Sequence, residues 1–365
     1  MGQVVKDSCS DLAILGGPAA FAEPLYVGRP NVGDRARLLA RIEDMLDRRW
    51  FTNNGPFIQE FERKLADMLG VRHAIAMCNA TIALEIAIRA LGMHGEVIVP
   101  SFTFVATAHA LQWQEITPVF CDIDPETHCI DPLCIEKMLT PRTTGIIGVH
   151  VWGNTCNVED LESMAKRRGL KLIFDAAHAI GCSHGGMMVG NFGECEILSF
   201  HATKICSAFE ASAAMAITSL ESLDSYIEVN KSNYHDYRNR LAGLPGIRFV
   251  EHCPHDKRNY QYVVVEVDEE AAGISRDTLI AVLHAENVMA RRYFYPGCHR
   301  MEPYRSYFPH AGLMLPVTER VASRVLVLPT GTAIQESHIA AICDIIRTAI
   351  EHGAQITDAL SGRDS

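Results

Sequence analysis

The chain has 365 residues, 48% of them hydrophobic and 21% charged, and a net charge of −11. That length suits two domains, or one large domain with an appendage, and the acidic balance with no basic stripe argues against a nucleic-acid binder. No apolar run reaches the length of a transmembrane helix. The 12 cysteines are scattered with no C-x-x-C pair, so they read as reduced thiols of a cytoplasmic protein. The 16 histidines bring neither an H-E-x-x-H motif nor a Cys/His cluster, so no metal is expected. Residues 1–23 contain Gly16-Gly17-Pro18-Ala19-Ala20 and lack a basic segment followed by an apolar core, so they read as a loose extension.

In chain order, residues 73–77 read as a short strand and 81–91 as a helix with apolar residues at helical spacing. A strand at 96–99 closes on Pro100, a helix spans 103–114, and a strand follows at 117–121. Residues 145–151 are almost continuously apolar, as in a strand buried on both faces. The helix at 158–168 ends at Gly169, a C-terminal cap. Strands at 172–174 and 197–200 complete the alternation, which predicts a mainly parallel α/β sheet covered by helices. Beyond residue 220 the pattern changes to a long polar helix at 223–240, strands at 248–250 and 260–267, and helices at 276–286 and 337–353.

Two residues stand just past strands and point to one chemistry. Asp175 opens Asp175-Ala176-Ala177-His178, and Lys204 ends Ser199-Phe200-His201-Ala202-Thr203-Lys204. Pyridoxal phosphate needs a lysine amine to hold its aldehyde as a Schiff base and a carboxylate to keep its pyridine nitrogen protonated. Ligands of open α/β sheets sit beyond the carboxyl ends of the strands, where Asn79, Phe104, Asp175 and Lys204 all fall.

These segments resemble the DegT/DnrJ/StrS family of pyridoxal-phosphate sugar aminotransferases. Further matching blocks are Thr52-Asn53-Asn54-Gly55-Pro56, Cys78-Asn79-Ala80-Thr81-Ile82-Ala83-Leu84, Pro100-Ser101-Phe102-Thr103-Phe104, Asp122-Ile123-Asp124-Pro125 and His150-Val151-Trp152-Gly153. The resemblance runs from about Pro24 to Ala333. It implies the fold-type-I architecture, with a large cofactor-binding domain over 24–220 and a small C-terminal α+β domain over 221–365. By the same resemblance Lys204 is the Schiff-base lysine and proton carrier, Asp175 pairs with the pyridinium nitrogen, and His178 lies near the ring face or the phenolic oxygen. Ala80, Thr81 and Ser199 contact the cofactor phosphate, as suits a helix N-terminus, and Phe104 stacks on the ring. Residues 291–295 and 299–304 resemble the lining of a sugar-nucleotide pocket. A few family members become dehydratases by placing His where others have Lys. Here the lysine is present and His201 reads as structural. The implied reaction moves an amino group from L-glutamate to a nucleotide-linked keto-deoxysugar, in a homodimer with sites at the interface.

The chain departs from the family after Lys204. A Glu-Gly-Gly segment that forms the next strand, and the excursion after it that reaches the partner's cofactor, are missing. Phe209-Glu210 runs directly into Ala211-Ser212-Ala213. Residues 212–218, small and apolar, either fill the vacated sheet position as a strand or stay helical, and the strand is the preferred reading, since an open edge beside a core is costly. The departure keeps two other outcomes in view, a non-catalytic scaffold and a pyridoxal-phosphate dehydratase.

Overall fold

The alternation of strands and helices folds as a parallel sheet. The computed structural model describes residue 6 and residues 8–51, 54–208, 213–251 and 255–361. Its main elements are α1 (Arg35–Arg48), α2 (Pro56–Leu69), α3 (Ala80–Ala90), β1 (Glu96–Pro100), α4 (Ala106–Gln112), β2 (Thr117–Cys121), α5 (Pro132–Met138), β3 (Thr143–Val149), α6 (Val158–Arg168), β4 (Lys171–Asp175) and β5 (Cys195–Ile197). There follow α7 (Ala213–Leu220), α8 (Leu223–Arg240), β6 (Ile247–Phe249), β7 (Val263–Val267), α9 (Arg276–Ala285), α10 (Pro316–Arg324), β8 (Val325–Leu328) and α11 (Glu336–Glu351). Helix starts follow local chemistry. Asn79, Asp131, Asn157 and Ser275 each accept a backbone N–H in the first turn of the helix they precede. Gly169 ends α6 in the left-handed conformation the sequence predicts, with φ 66°.

The large sheet has the order β2-β1-β3-β4-β5, with every neighbouring pair parallel. β1 is buried along its whole length, as a strand covered on both faces should be. Chain direction across the sheet reverses between β1 and β3, which opens a crevice at their carboxyl ends. A smaller antiparallel sheet, β8-β7-β6, has its own core with α8, α9 and α11.

Three expectations are corrected. Residues 73–77 belong to no strand, and Ile75 is 73% exposed. A strand exists only by pairing, and the described sheet stops at β5, so this extended segment has no ladder to join. Residues 213–218 are helix, not strand; Ser212 lies outside the described residues. Ala214 and Met215 face Leu38 of α1, while Ala216 and Ile217 face Phe61, Leu65 and Leu69 of α2. A helix bonds its own backbone and can bury both sides, which a lone strand cannot do. At its end Glu221 accepts from Arg41 and Lys64. Burial pushes its carboxyl up, but these two cations overrule that and hold it down at about 2.

The third correction concerns the N-terminal extension, which is packed. Leu12 is fully buried in the core beside the smaller sheet. Lys6 Nζ donates to the carbonyls of Asp11 and Pro18, both at 2.6 Å, and pairs with Glu286 at 2.9 Å. Glu286 also accepts from the amides of Ala13 and Ala20 at 2.7 Å.

Candidate active site

Asp175 is the last residue of β4, and its backbone is fixed from both sides. His150 N donates to its carbonyl at 3.0 Å, and Ala176 N donates to Ile197 O at 2.8 Å. Its carboxylate accepts from Thr107 Oγ1 at 2.8 Å and from Ala177 N at 3.1 Å. Thr103 Oγ1 lies 3.0 Å from Thr107 Oγ1. Thr107 spends its one proton on Asp175, so Thr103 is the donor of that second bond. Burial raises the Asp175 carboxyl above its usual range, opposed by Thr107, the Ala177 amide and the Lys204 ammonium.

Lys204 leaves the turn after β5, the strand paired with β4. Its Nζ donates to Tyr262 Oη at 3.3 Å. Burial lowers its pKa to about 8, against the pull of Asp175 and Tyr293. The turn is clamped from outside. Ile205 N donates to Gln261 Oε1 at 3.1 Å, and Asn31 Nδ2 donates to Ile205 O at 3.0 Å. Gly28 approaches so closely that an added Cβ would lie 2.9 Å from Thr203 O, and its φ is +73°.

His178 is buried, and burial, then the Lys204 charge, push its imidazole well below the usual range, so it is neutral. Its ring lies nearly parallel to Trp152 and Phe294, at 5.9 Å and 21° and at 5.8 Å and 12°. Tyr262 leans on it at 4.6 Å. Asn259 Nδ2 holds the carbonyls of His178 and Ile180 at 2.8 and 2.9 Å. Residues 259–262 therefore clamp the Asp175 and Lys204 loops instead of extending β7 to residue 260 as the sequence predicts. Gly153 has φ +83°, and a Cβ there would meet Cys182, Asn259 and His178 within 3.3 Å.

Ala80 and Thr81 open α3 behind the Asn79 cap, and no described residue accepts from their amides. Ser199 is buried and lies 3.4 Å from His201 N. Phe104 is 60% exposed and makes no ring contact among the described residues. His201 is exposed and bonds Thr203 at 2.9 Å. The predicted pocket segment divides in two. Arg291, Arg292 and Tyr293 line a cavity of about 550 Å³ with Tyr26, Asp277 and His284. His299 and Tyr304 are buried supports, His299 between Ser101 and Glu319 and Tyr304 against His109. Thr107, Asn259, Gln261 and Tyr262 were not singled out by sequence, and Trp152 stands there only as a member of the block at 150–153.

With this arrangement in place, the chain matches a family model, the DegT/DnrJ/EryC1/StrS aminotransferase family, over residues 33–211 and 209–347. The chain belongs to that family. The two matched stretches meet at the junction where the sequence lacks a segment. The aminotransferase is 33% identical over 361 residues to a dTDP-4-amino-4,6-dideoxy-D-glucose transaminase of Escherichia coli, covering 88% of this chain and 97% of that one. It is 30% identical to a GDP-perosamine synthase of Caulobacter vibrioides, covering 82% and 91%. Among solved structures it is similar to DesI, crystallised with its TDP-sugar product, with 45% identity, a TM-score of 0.93 and coverage of 97% and 100%. Fold-type-I architecture and membership among sugar aminotransferases are thereby established. Among the described residues no helix is long and apolar enough to cross a membrane.

Proposed function

We propose that this aminotransferase uses pyridoxal phosphate to pass the amino group of L-glutamate to the ketone carbon of a deoxysugar linked to a nucleoside diphosphate, thymidine diphosphate by preference. The observation that carries the reading is the pairing of Asp175 and Lys204 at the ends of adjacent parallel strands, with the amine lowered to about 8. The nucleotide preference rests on the higher identity to the TDP-sugar relatives. The residues present fit the cofactor. Asp175 is a buried carboxylate for a ring nitrogen, Ala80 and Thr81 offer amides for a phosphate, and Lys204 is an amine for an aldehyde.

When bound, pyridoxal phosphate supplies an aldehyde that condenses with amines and a ring that accepts the electron pair of a broken C–H bond. The chain supplies the rest. Lys204, with its pKa near neutrality, takes a proton at Nζ from one carbon and returns it to another. Tyr262 holds Nζ between those steps. Asp175, whose ionised form Thr107 and the Ala177 amide favour, would keep a proton on the ring nitrogen by charge. The neutral His178 ring and its aromatic neighbours keep water from one side of the crevice. Each half-reaction exchanges one amine for one carbonyl, glutamate leaving as 2-oxoglutarate, so no outside oxidant or reductant is needed.

The test is the absorbance of purified protein with pyridoxal phosphate, before and after L-glutamate, followed by mass analysis of product from a TDP-linked keto-deoxysugar. A glutamate-dependent spectral change and an aminated sugar, both lost in Lys204→Ala, are expected. Amination unchanged in Lys204→Ala refutes the reading. A dehydrated sugar would replace it with dehydration, and silence beside a responding relative would favour a scaffold role.

A further inference from the structure

One tryptophan fixes the protons of two histidines. Trp152 follows β3 with left-handed backbone, φ 62° and ψ 8°. Its amide N–H donates to His178 Nδ1 at 3.3 Å, and its indole Nε1–H donates to His128 Nδ1 at 3.2 Å. A ring nitrogen that accepts carries no proton, so the proton of each ring lies on Nε2. The His128 Nε2–H meets Glu266 Oε1 at 3.0 Å, and Arg248 holds the same carboxylate. No described residue accepts from His178 Nε2–H, which leaves it available to a ligand.

The arrangement crosses the molecule. Glu266 lies on β7 in the small sheet, His128 and Trp152 in the large domain, and His178 in the candidate site. His128 also has left-handed backbone, φ 61°, and left-handed backbone costs a non-glycine residue energy that surrounding contacts must offset. Two such residues bracket a single indole hydrogen bond. Burial raises the Glu266 carboxyl, but His128 and Arg248 overcome that and keep it below the usual carboxylate range, so it stays an acceptor. That acceptor holds the His128 proton on Nε2 and leaves Nδ1 open to the indole. The indole in turn lies 14° from parallel to Phe294, which lies 12° from parallel to His178. Turning the indole would tilt the stack and move the amide that His178 accepts from.

We infer that His128 and Glu266 are positioning residues that, through Trp152, hold His178 as the Nε2–H tautomer, so that the site offers the cofactor a hydrogen-bond donor there and not an acceptor. The consequence for the cofactor rests on the proposed function; the tautomer does not.

The test uses the full chain without cofactor, with histidine rings labelled in ¹⁵N, and long-range ¹H–¹⁵N correlation to read each tautomer. Trp50 and Trp113 are 48% and 78% exposed, so the protected indole N–H belongs to Trp152. His178 is expected as Nε2–H in the wild type. His128→Leu should give a mixture of tautomers and roughly tenfold faster exchange of the Trp152 indole, while His128→Gln, which can accept and donate at the same places, restores both. An Nδ1–H His178 in the wild type overturns the proposal whether or not a variant folds, as does an unchanged His178 in His128→Leu. With cofactor added, His128→Leu should weaken pyridoxal phosphate binding about 2- to 30-fold, as for residues acting through a neighbour. Equal binding despite a changed tautomer overturns the link to the cofactor. A wild type that binds no cofactor instead counts against the aminotransferase reading and leaves the tautomer result standing.

Discussion

Thr107 gives its only hydroxyl proton to Asp175, 2.8 Å away and 68 positions on in the sequence. The bond ties the first helical turn after β1 to the end of β4, across the crevice where the sheet order reverses. Without it the buried carboxylate would keep a single backbone donor.

Thr107→Val tests that bond. It keeps the shape and removes the donor, so the folded protein should lose about 1–3 kcal/mol at pH 7. Thr107 favours the ionised form, so its loss raises the Asp175 pKa further. The penalty should therefore be smaller at pH 4 than at pH 7, because the donor matters less as the carboxyl takes up its proton. Urea denaturation at the two pH values measures both, and an equal penalty at each would refute the assigned role.

Lys204 makes a prediction of opposite sign. Its folded pKa of about 8 lies below the ~10.4 of a free lysine. Between these values the unfolded chain binds more protons, so stability rises as pH climbs through that window. Cofactor-free Lys204→Met should be more stable than wild type by about 1–3 kcal/mol at pH 7, and the gap should close above the window. A gap independent of pH would show that the ammonium is well solvated. The rate of pyridoxal phosphate capture by the wild type should rise through about pH 8, as the amine loses its proton.

The ion pair of Lys6 and Glu286 anchors the N-terminal extension. Glu286→Ala leaves a buried ammonium and the amides of Ala13 and Ala20 without their acceptor. Breaking one side of such a pair costs about 3–5 kcal/mol, read as a lower denaturant midpoint and faster proteolysis near residue 20. A midpoint that does not move would mean that water replaces the carboxylate.

Inserting the segment of a full-length relative between Glu210 and Ala211 should tighten pyridoxal phosphate binding. Each restored charge-assisted hydrogen bond to the phosphate should contribute about 1.5–3 kcal/mol, roughly ten- to a hundredfold in affinity. Equilibrium dialysis of both chains decides it. Equal affinity would mean that this chain holds its cofactor within one subunit.

The legible part of the site was the part in which residue type is itself the chemistry. An amine and a carboxylate past successive strands, Lys204 and Asp175, declare themselves, and the alternation around them predicts the parallel sheet. Thr107, Asn259, Gln261 and Tyr262 act through contacts made across dozens of positions, and nothing in their own neighbourhoods distinguishes them from core. Residues 73–77 fail for a different reason. Their local preference for strand is sound, but pairing is a property of the partner. Residues 213–218 fail because small apolar residues suit helix and strand alike, and only the space between α1 and α2 decides.

The end of the described sheet at β5 has a consequence for what supports the two reagents. Asp175 ends β4, and Lys204 leaves the turn after β5, which is itself the border of the described sheet. Both reagents therefore stand on strands that pair with each other and need no described strand beyond β5 to hold them. Helix α7, folded against α1 and α2, buries its apolar residues without drawing on that sheet, so its packing and the strands that carry the reagents stand independently.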